Sequence, residues 1–417
     1  MKDQEAAPGE DARLTTKEAA ELLGVKPETV YAYVSRGQLS SRREPGGRGS
    51  TFDAKEVAAL ARRNRREPSG MSSGGGELSV RTGITLIDTD RYYFRGVDAT
   101  ELAARHSYEE IAEWLWTGRL RPGITFSAPD ASVTVARRAV DALPEHCGPT
   151  DRLRVATIAA ATADPLRFDL SPDAVLGTAR TLIPTLVAAL PRLRHDHGDE
   201  GPLARRLWGR LSGRTPDEAS LRVLDTALGL LVDHDLAAST LAVRVAASAR
   251  AHPYAAVSAG LGVLEGPLHG AASRLAHRML LEVLDRGTAA PVVADELRAG
   301  RRIPGLGHRL YPGEDPRARA LFALLEDVPA ASPALAAARD IVATTARHSP
   351  LHANVDLALA VLTASSGMSS SAGETVFAVA RTAGWIAHAL EEYGERPLRM
   401  RPSGRYVGAR PPQPLPQ

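Results

Sequence analysis

One short stretch constrains this chain more than any other. Residues Glu67 to Gly76 read Glu-Pro-Ser-Gly-Met-Ser-Ser-Gly-Gly-Gly, directly after the basic run Arg62–Arg63–Asn64–Arg65–Arg66. Glycine and serine at that density bring almost no side chain to bury and lose much backbone freedom on ordering. The segment therefore reads as a flexible linker, with separate folded pieces on either side. The expected division is a small domain at 1–66, a linker at 67–78 and a long domain at 79–417.

The small piece carries the charge asymmetry. The whole chain of 417 residues has a net charge of only +2, yet between Ala12 and Arg66 there are 12 Lys/Arg against 6 Asp/Glu. A local basic excess suits a polyanionic partner. Thr15 or Thr16 is placed to cap a helix running to Leu23, with Ala19, Ala20, Leu22 and Leu23 on its buried side and Gly24 at its end. Pro27 then opens a second helix through Ser35, closed by Gly37. Pro45–Gly46–Gly47–Arg48–Gly49 has the chemistry of a hairpin tip, and Asp53 caps a third helix from Ala54 to Arg63.

Two helices joined by a tight turn can lay the second in a DNA major groove, while a basic hairpin reaches phosphate or the minor groove. The candidate contacts are Lys26, Thr29, Tyr31, Tyr33 and Arg36 around the second helix, with Arg42, Arg43 and Arg48 on the hairpin. The segment Leu14–Thr15–Thr16–Lys17–Glu18–Ala19–Ala20–Glu21–Leu22–Leu23–Gly24–Val25 resembles the start of excisionase and mercury-resistance-regulator-type winged helix-turn-helix domains, over roughly residues 12–66. Such a fold serving as a protein–protein module is the alternative.

The long piece reads as all-α. Ala, Leu and Arg dominate it, and these lose little freedom in a helix. Ser107–Tyr108–Glu109–Glu110 is a capping box, followed by Ile111 and Leu115 at helical spacing and then Gly118. Apolar stripes run from Leu221 to Val232 and from Phe377 to Leu390, with short extended pieces expected near Gly83 to Tyr93. Cys147 is the only cysteine, so no intrachain disulfide can form. The acidic Met1–Asp11 start lacks a basic-then-apolar signal pattern and no apolar run reaches bilayer length, so the expected setting is cytoplasmic, without a membrane partner.

Histidine-bearing segments carry the chemistry. They are Asp233–His234–Asp235–Leu236–Ala237–Ala238–Ser239–Thr240, then Gly266–Pro267–Leu268–His269–Gly270–Ala271, then Pro304–Gly305–Leu306–Gly307–His308–Arg309–Leu310–Tyr311 continuing to Asp315–Pro316–Arg317–Ala318. Downstream lie Asn354–Val355–Asp356, Arg381–Thr382–Ala383–Gly384–Trp385–Ile386–Ala387–His388, and Arg401–Pro402. A lone histidine is more often packed than catalytic. His269 and His308, however, sit in Gly/Pro-rich turns, where backbone can approach a ligand closely. Asp356 begins an apolar stretch, Leu357 to Leu362, whose burial should raise its pKa toward that of a useful base.

In order and spacing these segments resemble the citrate synthase family, from about Gly83 to Gly408. That resemblance implies a two-domain helical fold, with a large domain at about 79–272 and 382–417 and a small one at about 273–381. It implies condensation of acetyl-CoA with oxaloacetate and hydrolysis to citrate and CoA. Propionyl-CoA, giving 2-methylcitrate, is the nearest alternative. The CoA thioester would be a co-substrate, with no permanently bound cofactor. Asp356 would take the proton next to the thioester, His269 would hydrogen-bond the thioester oxygen, and His308 would polarise the ketone and protonate the alkoxide. His234, Arg317 and Arg381 would hold the substrate carboxylates, with Arg401 entering from the neighbouring subunit of a homodimer. A non-catalytic, metabolite-sensing DNA-binding regulator is the competing reading. Retention of the three proton-transfer groups favours the enzyme.

Three positions depart from the family pattern. Leu357–Ala358–Leu359–Ala360 replaces Phe-Tyr-Ser-Gly after the aspartate, Pro312 stands where lysine is common, and Ser403 replaces the second arginine of Arg-Pro-Arg. Other signals are weaker. His195–Asp196–His197 lies in a polar loop and no metal site is expected there. Pro350 separates His348 from His352 and argues against a helical ligand pair. Arg274 and Arg278, one helical turn apart, suit either CoA phosphates or solvent, with solvent the favoured reading, and His388 reads as a packed or rim residue.

Overall fold

The computed structural model describes residues 13–23, 25, 27–35, 39–43, 50–58, 60, 80–193, 200–266, 269–270, 272–402, 407–410 and 413. The chain separates into two units, Met1–Val80 and Arg81–Gln417.

In the first unit Thr15 starts a helix by reciprocal capping. Its backbone N–H donates to Glu18 Oε2 at 2.8 Å, and the Glu18 N–H donates back to Thr15 Oγ1 at 3.3 Å. The helix Thr16–Leu23 follows, then Pro27–Ser35. A three-stranded antiparallel sheet places Ser50–Asp53 between Arg13–Thr15 and Ser41–Arg43. Asp53 Oδ1 accepts the N–H groups of Lys55 and Glu56 at 2.8 and 3.1 Å, which starts the helical turn at residues 54–58.

Ala19, Ala20, Leu23, Val30, Leu39, Phe52, Val57 and Leu60 form this unit's core. Leu22, expected on the buried side, is 42% exposed. The 3.6-residue period places it to one side of the arc spanned by Ala19, Leu23 and Ala20. The strand Arg13–Thr15 was not foreseen, since three residues are too few to show alternation.

The second unit is a helical assembly with one small meander, Thr85–Asp88, Arg91–Phe94 and Val97–Asp98. Ser107 caps the helix Tyr108–Thr117 with the complete capping box. At the centre runs the 22-residue helix Ala372–Tyr393, buried along most of its length. Pro172–Ala189, Glu218–Leu231, Ala238–Ser248 and Pro253–Leu264 pack around it. Polar tips of large side chains pin it: Tyr108 Oη donates to Val379 O at 3.0 Å, and Trp116 Nε1 donates to Ala383 O at 2.8 Å.

Gly384 lets this helix cross the end of Glu218–Leu231. A Cβ at position 384 would lie 2.1 Å from Val232 O and 2.9 Å from Asp233 Oδ1, so only glycine fits. Among the described residues no single helix is long and apolar enough to cross a membrane.

Gly384→Ala should lower the stability of the second unit by about 2 kcal/mol or more, because backbone cannot rotate out of the way. Gly177→Ala, inside the helix Pro172–Ala189 with nothing near its added Cβ, should raise it by about 0.5–1 kcal/mol. Urea unfolding checks both through the midpoint at constant slope. Equal midpoints for the two variants would contradict the close-approach argument.

Candidate active site

The loop that carries His308 is built on two left-handed glycines. Gly305 and Gly307 have φ of +80° and +74°, a conformation costly for any residue with a Cβ. Their polar groups zip onto the chain just before Asp356. Gly307 N–H donates to His352 O at 2.8 Å, Asn354 N–H donates to Gly305 O at 2.9 Å, and Asn354 Nδ2 donates to Gly307 O at 2.8 Å. Asn354 also caps the helix Val355–Ser365, accepting from Asp356 N–H at 3.0 Å. Two segments about fifty residues apart are thereby held side by side.

Asp315 completes the fastening. It caps the helix Pro316–Leu325 and grips Arg317 with both oxygens, from Nε at 2.9 Å and Nη2 at 2.8 Å. Its Oδ2 also accepts the Val355 N–H at 3.0 Å. Arg317 Nη2 in turn lies 3.3 Å from His308 Nε2. His308, Arg317 and the start of the Asp356 helix thus share one carboxylate, directly or through one partner.

His234 enters from the end of the helix Glu218–Leu231. Its Nε2 lies 2.8 Å from Tyr311 Oη, and its ring stands edge-on to that of His308 with centroids 5.2 Å apart. His269 is held by Ser239, whose Oγ is 2.7 Å from Nε2. Arg381 donates to Leu231 O at 2.9 Å, while its Nη2 is buried with no hydrogen-bond partner among the described residues. Phe377 lies between the last two groups, with the guanidinium 4.4 Å above its ring and His269 edge-on at 6.1 Å.

Depth and charge sort these residues. His234, Arg317 and Arg381 are buried, whereas His269, His308 and Asp356 are half-buried. Burial pushes the Asp356 carboxyl up to about 6, with Asp315 adding to the rise and Arg317 opposing it. Burial and the Arg317 charge bring His308 down to about 4. His234 is held well below the usual histidine range by burial, then by Arg317, Arg381 and His308. Burial and Arg381 lower His269. Arg381 is pushed down to about 10 by burial, against the pull of Asp233.

The imidazoles are therefore neutral at pH 7, and their protons can be placed. The Leu310 N–H donates to His308 Nδ1 at 3.1 Å, so the ring proton sits on Nε2. That assignment leaves the 3.3 Å approach of Arg317 Nη2 without a hydrogen bond, since both groups are donors.

The structure brings six of the seven expected site residues into one electrostatic neighbourhood. Arg317 acts on Asp356, His308 and His234, and Arg381 acts on His234 and His269. Arg401 is exposed, with its backbone N–H turned to Leu398 O. Ser239, Tyr311 and Asp315 were not singled out from sequence, although each lies inside a quoted motif and Asp315 stands at an evident N-cap.

Other sequence signals fare differently. Arg274, read as solvated, instead pairs with Glu374, while Arg278 is exposed. His388 is fully buried. His348 and His352 are exposed, beyond the end of the helix Ser332–Ala346. His195–Asp196–His197 lies outside the described residues, and among the described residues no three His, Cys, Asp or Glu cluster as metal ligands. In the first unit Tyr31 is 48% exposed, Arg42 is exposed and Thr29 is half-buried. Lys26, Arg36, Arg48 and the Arg43 side chain lie outside the described residues.

Comparison with known proteins agrees with this geometry. Residues 74–403 match the citrate synthase C-terminal domain family, and residues 13–65 match a helix-turn-helix domain family. The chain is 31% identical over 359 residues to a citrate synthase of Haloferax volcanii, covering 80% of this chain and 94% of that protein. It is 26% identical over 361 residues to 2-methylcitrate synthase 1 of Corynebacterium glutamicum, again covering 80% and 94%. The crystal structure of citrate synthase from Pyrobaculum aerophilum superposes with a TM-score of 0.67 at 26% identity, covering 81% of this chain and 92% of that one. The chain belongs to the citrate synthase family and is an enzyme of the citrate synthase type, with a helix-turn-helix domain at its N-terminus.

Proposed function

We propose that this enzyme condenses acetyl-CoA with oxaloacetate and hydrolyses the product thioester to citrate and CoA. One observation carries the reading: a carboxyl raised to about 6 and two neutral imidazoles occupy the same neighbourhood as two buried guanidiniums. A thioester α-proton is a poor acid, so the base needs a donor at the oxygen where charge develops. Asp356 is the base. His269 is that donor: its Nε2 lies 2.7 Å from Ser239 Oγ, and when the hydroxyl donates there the ring proton is on Nδ1 and free for the thioester oxygen.

The enol carbon then attacks the ketone of the 2-oxoacid. His308 Nε2–H polarises that ketone and protonates the alkoxide as it forms. His234, Arg317 and Arg381 hold the carboxylates, and the unpartnered Arg381 Nη2 is the donor best placed to gain one. Juxtaposing both substrates lowers the entropic barrier to bond formation. Water finally cleaves the thioester and releases CoA. No permanently bound cofactor takes part.

Propionyl-CoA is the alternative donor, since relatives include both kinds of synthase. Leu357, Ala358, Leu359 and Ala360 are all fully buried, so the departure from the family pattern falls in the packing behind Asp356. Relative CoA release from acetyl- and propionyl-CoA decides between the donors. We assign the enzyme to a homodimer in the cytoplasm, with Arg401 completing the partner's site. Exposed Ile158, Leu166, Phe168 and Leu398 supply apolar surface for such contact.

A second reading concerns the N-terminal unit, whose family match and basic excess favour DNA as a partner. Its binding to duplex DNA, followed by anisotropy, should weaken steeply between 50 and 200 mM salt in the manner of phosphate contacts, roughly tenfold or more. Salt-insensitive or absent binding would instead favour an assembly role.

Asp356→Asn should cut kcat by about 10²- to 10⁴-fold in a CoA-release assay while leaving folding and oxaloacetate binding intact. In the wild type, kcat/KM should fall as pH drops through about 6, because the base must be ionised. An acid limb that persists in Asp356→Asn would assign the titration to another group. Co-expressing Asp356→Asn with Arg401→Ala should recover about a quarter of wild-type activity, because half the dimers are mixed and each has one intact site. No recovery would place Arg401 in its own subunit's site, and full activity of Arg401→Ala by itself would place it outside the site altogether.

A further inference from the structure

Behind Arg381 lies a buried run of alternating charge. Asp233 and His388 are both fully buried, and Asp233 Oδ1 lies 3.2 Å from His388 Nε2. At that spacing the carboxylate faces the ring nitrogen, although the two atoms are not aligned as a hydrogen bond. On the other ring nitrogen, Arg244 Nη1 approaches His388 Nδ1 at 2.7 Å. A guanidinium can only donate, so Nδ1 accepts and the ring proton is fixed on Nε2, facing Asp233. Arg244 is 1% exposed; its Nη1 also donates to Glu391 Oε2 at 2.7 Å, and its Nε is 3.3 Å from Glu392 Oε2.

The same groups clamp the chain where the catalytic unit begins. Thr85 Oγ1 donates to Asp233 Oδ2 at 2.5 Å, Gly83 N–H donates to Glu391 Oε1 at 2.8 Å, and Arg244 Nη2 donates to Arg81 O at 3.3 Å. On the site side, Arg381 Nε donates to Leu231 O at 2.9 Å, two residues before Asp233, and Gly384, one turn along the helix from Arg381, packs against Val232 and Asp233. The Asp233 charge also favours the charged form of Arg381, against burial and Arg317. His234, which faces the substrate in the proposed reading, follows Asp233 directly in the chain.

We propose that Asp233, His388 and Arg244 form a positioning relay, braced by Arg81–Thr85, that orients Arg381 and His234 to receive the 2-oxoacid carboxylates. None of the three touches substrate. Asp233 supplies the countercharge behind Arg381, and His388 holds Asp233 from the far side. Arg244 fixes the His388 tautomer and ties the assembly to the segment leading from the N-terminal domain. Outer partners of this kind usually matter by one or two orders of magnitude through the groups they orient. A relay that acts only on the 2-oxoacid end leaves the acyl-CoA end alone, and that selectivity separates it from a general structural role.

The inference rests on Arg381 binding the 2-oxoacid, so the experiment includes Arg381→Ala. Full-length wild type, Arg381→Ala, His388→Leu, His388→Gln and Thr85→Val are compared in the CoA-release assay, each KM being measured at saturating co-substrate. His388→Leu should raise the KM for oxaloacetate about 10- to 100-fold, with the KM for acetyl-CoA within about twofold of wild type. His388→Gln, which can still accept from Arg244 and keeps an N–H group toward Asp233, should recover most of that loss. Thr85→Val, which keeps the side-chain shape and removes one bond to Asp233, should raise the oxaloacetate KM several-fold and guards against misfolding of the leucine variant. If Arg381→Ala leaves the oxaloacetate KM unchanged, the carboxylate-binding reading fails and takes the relay with it. If Arg381→Ala raises that KM while Thr85→Val and the folded His388 variants do not, or shift both KM values together, the relay alone is overturned.

Discussion

The buried pair Asp315–Arg317 is the interaction on which the catalytic geometry depends. Both side chains are nearly inaccessible, and the pair is bidentate. Desolvating two such charges is expensive, so the pair is weak evidence for stability in itself. Its consequence is geometric. One carboxylate caps the helix that carries Arg317, neutralises that arginine and accepts the N–H of Val355 beside the proposed base. Removing either partner would leave the other charge buried and uncompensated, a change that costs several kcal/mol in comparable cases. The balance is also chemical, because an uncompensated Arg317 would hold the Asp356 carboxyl down and spoil it as a base.

Around this pair the site divides by depth. The cations that would hold a dianion lie deep, where low dielectric strengthens each contact. The groups that would move protons are half-buried. Burial raises the carboxyl and lowers the imidazoles, so the same desolvation yields an available base and neutral donors near pH 7. A neutral histidine with its proton fixed in place can donate without first having to lose or gain charge.

Much of this was legible in the sequence because the chemistry sits in compact motifs. The capping signals at Thr15, Asp53 and Ser107 fixed helix starts that the structure reproduces, since caps depend only on near neighbours. Glycines at 305 and 307 pointed to a tight loop near His308, and the left-handed backbone there is their physical reason. Contacts between distant segments were not readable. Nothing local announces that Asp315 bonds Val355, that Ser239 meets His269, or that Arg274 meets Glu374. His388 was read as a packed residue, and packed it is; its placement between Arg244 and Asp233 needed three dimensions.

The most direct test of the account is a crystal structure of the enzyme with oxaloacetate and a non-reactive acetyl-CoA analogue. The account requires the dianion's carboxylates on Arg317 and Arg381, its ketone oxygen within hydrogen-bond reach of His308 Nε2, and an Asp356 oxygen about 3 Å from the analogue's α-carbon. An analogue bound away from Asp356 and His269, or a dianion bound without either arginine, would contradict it.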